Sequence, residues 1–182
     1  MWCRMDNPVL EAIKNRRSAT RFDTGPLEEE KVQAILEAGR WAPSWLNKQP
    51  WKFIVVRDRL VKDRIAELAP TVYKLALSEA PLCIAVCVDT VEDPFHYVED
   101  GAVATQNMAL AAQSMGLGSL WIGVFSVKNE RNSAEERMKG ILEIPRNYRL
   151  VSILPVGVLK LAPEKTRRSL SEIVFREKFG VK

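Results

Sequence analysis

Residues 40–56 read RWAPSWLNKQPWKFIVV, and this stretch decides how the rest of the chain is read. It has two parts. Trp51 to Val56 is aromatic and β-branched, which marks a buried strand, with Trp51 as a core anchor. Ahead of it, Pro43, Ser44, Trp45, Asn47 and Gln49 sit in the connection from the preceding element. Prolines restrict the backbone, and serine, asparagine and glutamine supply donors and acceptors. A plain connection does not need that much rigid, hydrogen-bonding chemistry.

Outward from this stretch, periodicity sets the other elements. Val32, Ile35, Leu36 and Gly39 form a stripe over a helix from Glu28 to Trp41, with three glutamates at its favourable N-terminal end and Ala42-Pro43 as its stop. Asn7 before Pro8 caps an earlier helix that carries Val9, Ala12 and Ile13 and runs to about Arg16. Downstream come a polar helix from Arg57 to Ala69 and a strand, PLCIAVCV, at Pro81 to Val88. Tyr97 to Met115 is alanine-rich and apolar over most of its circumference, as expected of a helix central to a domain or to a subunit contact. Gly116 and Gly118 stop it. A strand, SLWIGVF, follows, then a charged helix from Glu130 to Leu142 with Met138, Ile141 and Leu142 on its stripe. Arg149 to Leu159 reads as a last strand, in which Pro155 predicts an edge or a bulge. Leu170, Ile173, Val174 and Phe179 near the end have no evident partner, so this tail is expected to dock on something.

Composition sets limits on function. The 182 residues are 47% hydrophobic and 27% charged, which fits one soluble domain over residues 1–182. The net charge of +4 is scattered rather than gathered into a basic arm, so no nucleic-acid partner is expected. No run approaches the roughly 20 apolar residues of a membrane span, and the start has no apolar signal region, so a cytoplasmic location without membrane contact is expected. Cys83 and Cys87 are four apart on a strand and share a face as small core residues, while Cys3 leaves the cysteine count odd. A single histidine, His96, and the lack of Gly-x-Ser-x-Gly argue against a zinc site and a serine triad. Neither GxGxxG nor GxxxxGK[ST] is complete, GLGSL at Gly116 lacking the third glycine.

Two cationic clusters remain. RRSATRF at Arg16 to Phe22 and EKTRRSL around Lys165, Arg167 and Arg168 carry guanidinium forks suited to phosphate or to a planar carbonyl edge. Each alone reads equally well as a solvated surface. Together with residues 41–56 they resemble the nitroreductase family, FMN-dependent oxidoreductases that work as intertwined homodimers. AIKNRRSATRF is similar to the family's N-terminal phosphate and flavin motif, and WAPSWLNKQPWKFIVV to its Ala-Pro-Ser-x-x-Asn-x-Gln-Pro-Trp signature. The alanine-rich helix with GLGSLWIGVF resembles the central dimer helix and flavin-contact strand, and PVGVLKLAPEKTRRSLSEIV the closing strand and cationic cap.

The resemblance implies an α+β nitroreductase-like fold, with a central, mostly antiparallel sheet flanked by helices, in an intertwined dimer. It implies that Arg16, Arg17 and Ser18, joined by Lys165, Arg167 and Arg168, hold the phosphate and ribityl of FMN. Pro43, Ser44, Trp45, Asn47 and Gln49 would meet the flavin of the partner subunit, the proline-braced loop giving a flat apolar wall and fixed hydrogen-bonding groups at the ring edge. Trp121, Ile122 and Gly123 would pass along the ring, with a backbone N–H near Gly123 facing N5. NADH or NADPH would deliver hydride to N5 and leave, and a nitroaromatic, quinone or similar acceptor would follow in ping-pong order, so no protein nucleophile is required. Two positions depart from the pattern. Thr20 stands where the family usually has a basic residue facing the flavin pyrimidine edge; either Arg21 takes over that role, or the loop bulges by one residue, or the edge is left to Thr20 and the backbone with a less stabilised reduced flavin. Trp45 is bulkier than the usual small residue and is expected to narrow the pocket or to stack over the substrate side. The alternatives are a dehalogenating or flavin-fragmenting relative and a flavin-binding module without turnover.

Overall fold

The structure, a computed structural model, describes residues 7–126 and 131–181. Cys3 and Glu130, both named above, lie outside the described residues. The elements in chain order are α1 (Pro8–Asn15), β1 (Arg21–Phe22), α2 (Glu29–Arg40), β2 (Trp51–Val56), α3 (Arg59–Leu68), α4 (Thr71–Glu79) and β3 (Leu82–Asp89). They continue with α5 (Tyr97–Ser114), β4 (Leu117–Ser119), β5 (Ile122–Gly123), α6 (Ala134–Ile141), β6 (Tyr148–Leu161) and α7 (Leu170–Ile173). The strands form one sheet in the order β1-β6-β3-β2, with β4 and β5 also paired to β6. Every strand pairing is antiparallel, as expected for an α+β chain of this type.

Both faces of the sheet are covered, and β3 shows why its sequence is apolar throughout. Leu82, Ile84 and Val86 pack with Val32 and Ile35 of α2 and Met108, Ala109 and Ala112 of α5. Cys83, Ala85 and Cys87 point the other way, into a core with Ile65 of α3, Leu77 of α4 and Met138 of α6. A strand buried on both faces has no polar alternation. Burial pushes both thiols up to about 12, so they stay protonated as core residues. Trp51 is buried against Val88, Ala104 and Val151, as its sequence context suggests.

On α5 the buried positions are Asp100, Gly101, Ala104, Thr105, Met108, Ala109 and Ala112, a single stripe at helical spacing. The stripe lies very close to its neighbours at two glycines. A Cβ on Gly101 would fall 2.8 Å from Val151 Cγ2 and 2.9 Å from Val88 Cγ2, and one on Gly39 of α2 would fall 2.9 Å from the Met108 side chain. Thr105 Oγ1 also bonds Ser152 Oγ of β6 at 2.7 Å.

Several expectations need correction. Pro155 lies in the interior strand β6, and the register shift falls elsewhere, opposite Val86 and Cys87. Proline is tolerated there because the strands on that side break: Ser119 of β4 pairs with Val156, and Ile122 of β5 with Ile153. The Pro155 carbonyl accepts Leu120 N–H in that gap, so its missing N–H faces the same interruption. In place of the one strand expected over SLWIGVF, β4 ends at Ser119 and only Ile122 and Gly123 form β5. Helix α4 has no signature in the sequence, because it buries only Ala76 and Leu77, too few to show a stripe. Asp58 and Ser133 cap α3 and α6 through Val61 N–H and Glu136 N–H, which moves both starts later than expected.

One ion pair lies inside the packing. Glu135 of α6, fully buried, accepts Arg149 Nε at 2.6 Å and Arg149 NH2 at 2.8 Å, together with the N–H groups of Ser126 at 2.7 Å and Leu150 at 3.2 Å. Arg149 also donates to Ser126 O at 2.7 Å, so the pair ties α6, β6 and the segment after β5 together.

Candidate flavin-binding site

The sequence motif at Arg16 falls where α1 ends. Arg16 is the C-cap, its N–H bonded to Ala12 O, and the chain then crosses to the strand after α5. Ser18 bridges to Ser119 in parallel, and Ala19 N–H donates to Ser119 O at 2.9 Å. From beyond β6, Lys165 reaches Ser18 Oγ at 3.5 Å. Arg16 is half-buried, and its guanidinium is pushed below its usual value by that burial and then by the charges of Arg167 and Arg17. Residues far apart in sequence thus form one cationic cradle. Among the described residues no carboxylate pairs with Arg16, Arg17, Lys165 or Arg167. Cations held in mutual repulsion without an acid suit a multiply charged anion. Arg17 is partly committed, since NH1 donates to Lys14 O at 2.6 Å and Arg16 O at 3.0 Å. Arg168 is exposed without a described contact.

The loop before β2 is a strained turn. Trp45–Asn47 make one turn of 3-10 helix, and Leu46, Asn47 and Gln49 have φ of 49°, 56° and 52°. Non-glycine residues in this left-handed region persist only where their surroundings hold them. Ser44 Oγ accepts Gln49 N–H at 2.8 Å, and Gln49 Nε2 donates to Asn47 Oδ1 at 3.2 Å. Trp45 N–H donates to the Asp100 carboxyl at 3.2 and 3.3 Å, which anchors the turn to the first turn of α5. The Trp45 ring meets Phe95 edge-on at 5.7 Å and lies 5.4 Å from the His96 ring. Nothing in the sequence marks Phe95, His96, Asp93 and Asp100 as neighbours of this loop, since they belong to no motif and a lone histidine signals neither a metal site nor a triad.

The cradle and the loop stand at opposite ends of α5. No described hydrogen bond links them. Trp121, Ile122 and Gly123 lead from Ser119 back along β6, Gly123 opposite Ser152, so they run from the cradle towards the first half of α5. Gly123 is exposed and Ile122 is buried.

Thr20 and Arg21, the two candidates for the ring edge, both have partners within the chain. Thr20 N–H donates to Leu161 O at 3.0 Å. Arg21 Nε donates to both oxygens of Glu79 at 2.8 Å, and its NH2 lies 2.6 Å from Oε1. Glu79 also accepts Phe22 N–H at 3.2 Å, and its carboxyl is held below the usual range first by Arg21. The expected takeover by Arg21 therefore meets a competing partner on α4, the helix that the sequence did not reveal.

The family profile described as Nitroreductase family matches residues 13–75 and 68–158. A "Putative NADH dehydrogenase/NAD(P)H nitroreductase" of Methanothermobacter thermautotrophicus is 38% identical over 154 residues, covering 82% of this chain and 76% of that protein. An "FMN reductase [NAD(P)H]" of Bacillus subtilis is 27% identical over 171 residues, covering 83% of this chain and 66% of that protein. The solved structure of a "putative nitroreductase in complex with fmn" from Desulfovibrio desulfuricans superposes with a TM-score of 0.81 at 31% identity, covering 96% of this chain and 99% of that one.

Proposed function

Because the chain belongs to the nitroreductase family, we propose that it is an FMN-dependent NAD(P)H oxidoreductase acting on nitroaromatic, quinone or similar acceptors. The observation that carries this reading is the acid-free cradle of Arg16, Lys165 and Arg167 around Ser18. A terminal phosphate fits it: a dianion would offset both the burial that chiefly depresses Arg16 and the repulsion from Arg167 and Arg17, and would give Ser18 and Lys165 an acceptor. A single cradle without a dinucleotide glycine fingerprint favours FMN over FAD. Bound FMN would supply the redox chemistry, taking two electrons from NAD(P)H and passing them to the acceptor.

The chain's own work is binding and orientation. Arg16, Lys165 and Arg167 hold phosphate, with Arg17 and Ser18 completing the cradle. The backbone of Trp121–Gly123 lines the path of the ring. The strained turn from Pro43 to Gln49 presents backbone and amide groups that are already fixed, so little entropy is lost when a ligand edge meets them. Trp45 sets the width of the acceptor side.

Two such half-sites at opposite ends of α5 are completed by a second copy. Support comes from the exposed apolar side chains of α1, Val9, Leu10 and Ile13, and from Trp41, which is 72% exposed. Pro8, Val9, Ala12, Trp41 and Leu110 line a groove of about 370 Å³ between α1, α2 and α5, of the kind a partner helix fills.

The purified protein should carry the two visible flavin absorption bands and release FMN on acid treatment. It should oxidise NADH or NADPH in the presence of a nitroaromatic or quinone with parallel double-reciprocal plots. Released FAD, or a colourless protein that ignores added FMN, overturns the reading. Flavin without turnover of either nucleotide leaves the binding module instead.

A further inference from the structure

Asp93 and Asp100 flank the start of α5, and neither serves the cradle described above. Both are buried, Asp93 completely and Asp100 to within 4%. Asp93 Oδ1 accepts the N–H groups of Phe95 at 3.1 Å and His96 at 2.9 Å. Asp93 Oδ2 is buried with no partner among the described residues. A bare carboxylate oxygen in such a place is costly and calls for a donor. A neighbouring group is the Asp100 carboxyl, itself buried and the acceptor for Trp45 N–H. A proton on one carboxyl would complete the set: it removes the repulsion between two buried anions and gives Oδ2 its missing bond.

We infer that Asp93 and Asp100 hold one proton between them, and that this shared proton fixes the seat of the Trp45 loop. The surroundings leave that task to a proton. His96 lies near Asp100, but its backbone N–H serves Asp93 and its ring packs on Trp45. Lys48, on the loop, lies over the Trp45 ring at 5.4 Å. Glu99 on α5 is exposed. From β3, Asp89 offers Asp93 only its backbone carbonyl, and its own carboxyl binds Val91 N–H and Asn147. Val88 and Val151 facing Gly101 are apolar, and Arg149 of β6 is taken by Glu135. No lysine or arginine pairs with either aspartate among the described residues.

Burial raises the Asp100 carboxyl above its ordinary value, and the charge of Asp93 raises it further. The folded chain then binds more protons than the unfolded chain between the ordinary carboxyl value and the raised one. Stability from this pair is complete at lower pH and falls as pH rises through that window. Above it, two anions face each other beneath the turn whose Leu46, Asn47 and Gln49 need holding. Relief comes by letting water in and the loop out.

For flavin affinity the inference rests on the proposed contact between this loop and FMN, and the test separates the two. The backbone amide resonance of Trp45, assigned with Trp45→Phe, is followed against pH in the full-length protein with and without FMN, alongside FMN titrations. Asp93→Asn keeps an acceptor for Phe95 and His96 and supplies a permanent N–H donor towards Asp100. Wild type should show a step in the Trp45 amide on the alkaline side of the ordinary carboxyl range, with the FMN Kd rising about tenfold across it, the order of one lost charge-assisted hydrogen bond. Asp93→Asn should flatten both curves. A step unchanged in Asp93→Asn, or infrared difference spectra without a protonated carboxyl on the acidic side of the step, overturns the shared proton. A Trp45 step that behaves as expected while FMN affinity stays level keeps the proton and removes the loop from the flavin site.

Discussion

Arg21 and Glu79 join the start of β1 to the last turn of α4 through three charged contacts. The Arg21 side chain is 41% exposed, so solvent screens the pair, yet the carboxylate also receives Phe22 N–H, and truncation removes its principal donor. Arg21→Ala should lower the melting temperature while FMN remains bound, and calorimetry on the flavin-loaded variant checks both. The sign with pH follows from the depressed carboxyl of Glu79: its contribution is present above the unfolded carboxylate value near about 4 and is lost as pH falls through the lower folded value. The gap in melting temperature between Arg21→Ala and wild type should therefore narrow in acid. Arg16→Ala should do the opposite at neutral pH, weakening FMN about tenfold or more, since a charge-assisted hydrogen bond is worth about 1.5 to 3 kcal/mol, with little change in stability of the flavin-free protein. Equilibrium dialysis measures it. The cationic residues of the cradle were readable in the sequence because charge type and motif order survive without coordinates. The partner of Arg21 was not, because Glu79 is remote in sequence and nothing in ALSEAP, residues 76–81, marks its carboxylate as engaged.

At the scale of elements, α5 owes its position to Gly101 more than to any large side chain. A methyl there meets two β-branched side chains on neighbouring strands at under 3 Å, and neither can yield without moving the sheet. Gly101→Ala should cost about 1 to 3 kcal/mol in urea unfolding. Gly39→Ala should cost less, because two of its near neighbours are Met108 side-chain atoms, which can swing aside. Glu135→Ala is the harsher change: it leaves Arg149 buried without its partner and frees two backbone N–H groups, a loss of about 3 to 5 kcal/mol. Long elements with a clear pattern, β2, β3, α2 and α5, could be placed from sequence to within a residue or two. The eight-residue α1 was as legible, because Asn7 and Pro8 mark its start, whereas elements without a cap signal or a clear stripe were not. The breaks at Leu120 and Trp121, the nine residues of α4 and the two of β1 depend on pairing with distant strands or on burying one or two side chains, which local periodicity does not report.

For the whole molecule, the exposed apolar surface is what predicts a dimer. Leu170, Ile173 and Val174 are about half exposed, and Phe179 is 93% exposed and touches only Phe175 among the aromatic side chains described. Light scattering at low micromolar concentration should find a dimer, and a 20.6 kDa monomer with flavin still bound would refute the shared site. Raising ionic strength should loosen FMN while sparing the dimer, since the cradle is charged and partly open whereas the contact surface is apolar. The arrangement of β6 has a further consequence, in the time domain of synthesis. Four strands pair with it, and Arg21 pairs with Leu161, yet β6 is the last strand to be made. Until it leaves the ribosome, on the order of ten seconds after β1 at typical elongation rates, β2 and β3 are the only strands able to form their native ladder. The nascent chain spends that interval with its future interior facing the solvent, so a message truncated before Tyr148 should yield a substrate for chaperones and proteases rather than a smaller folded protein.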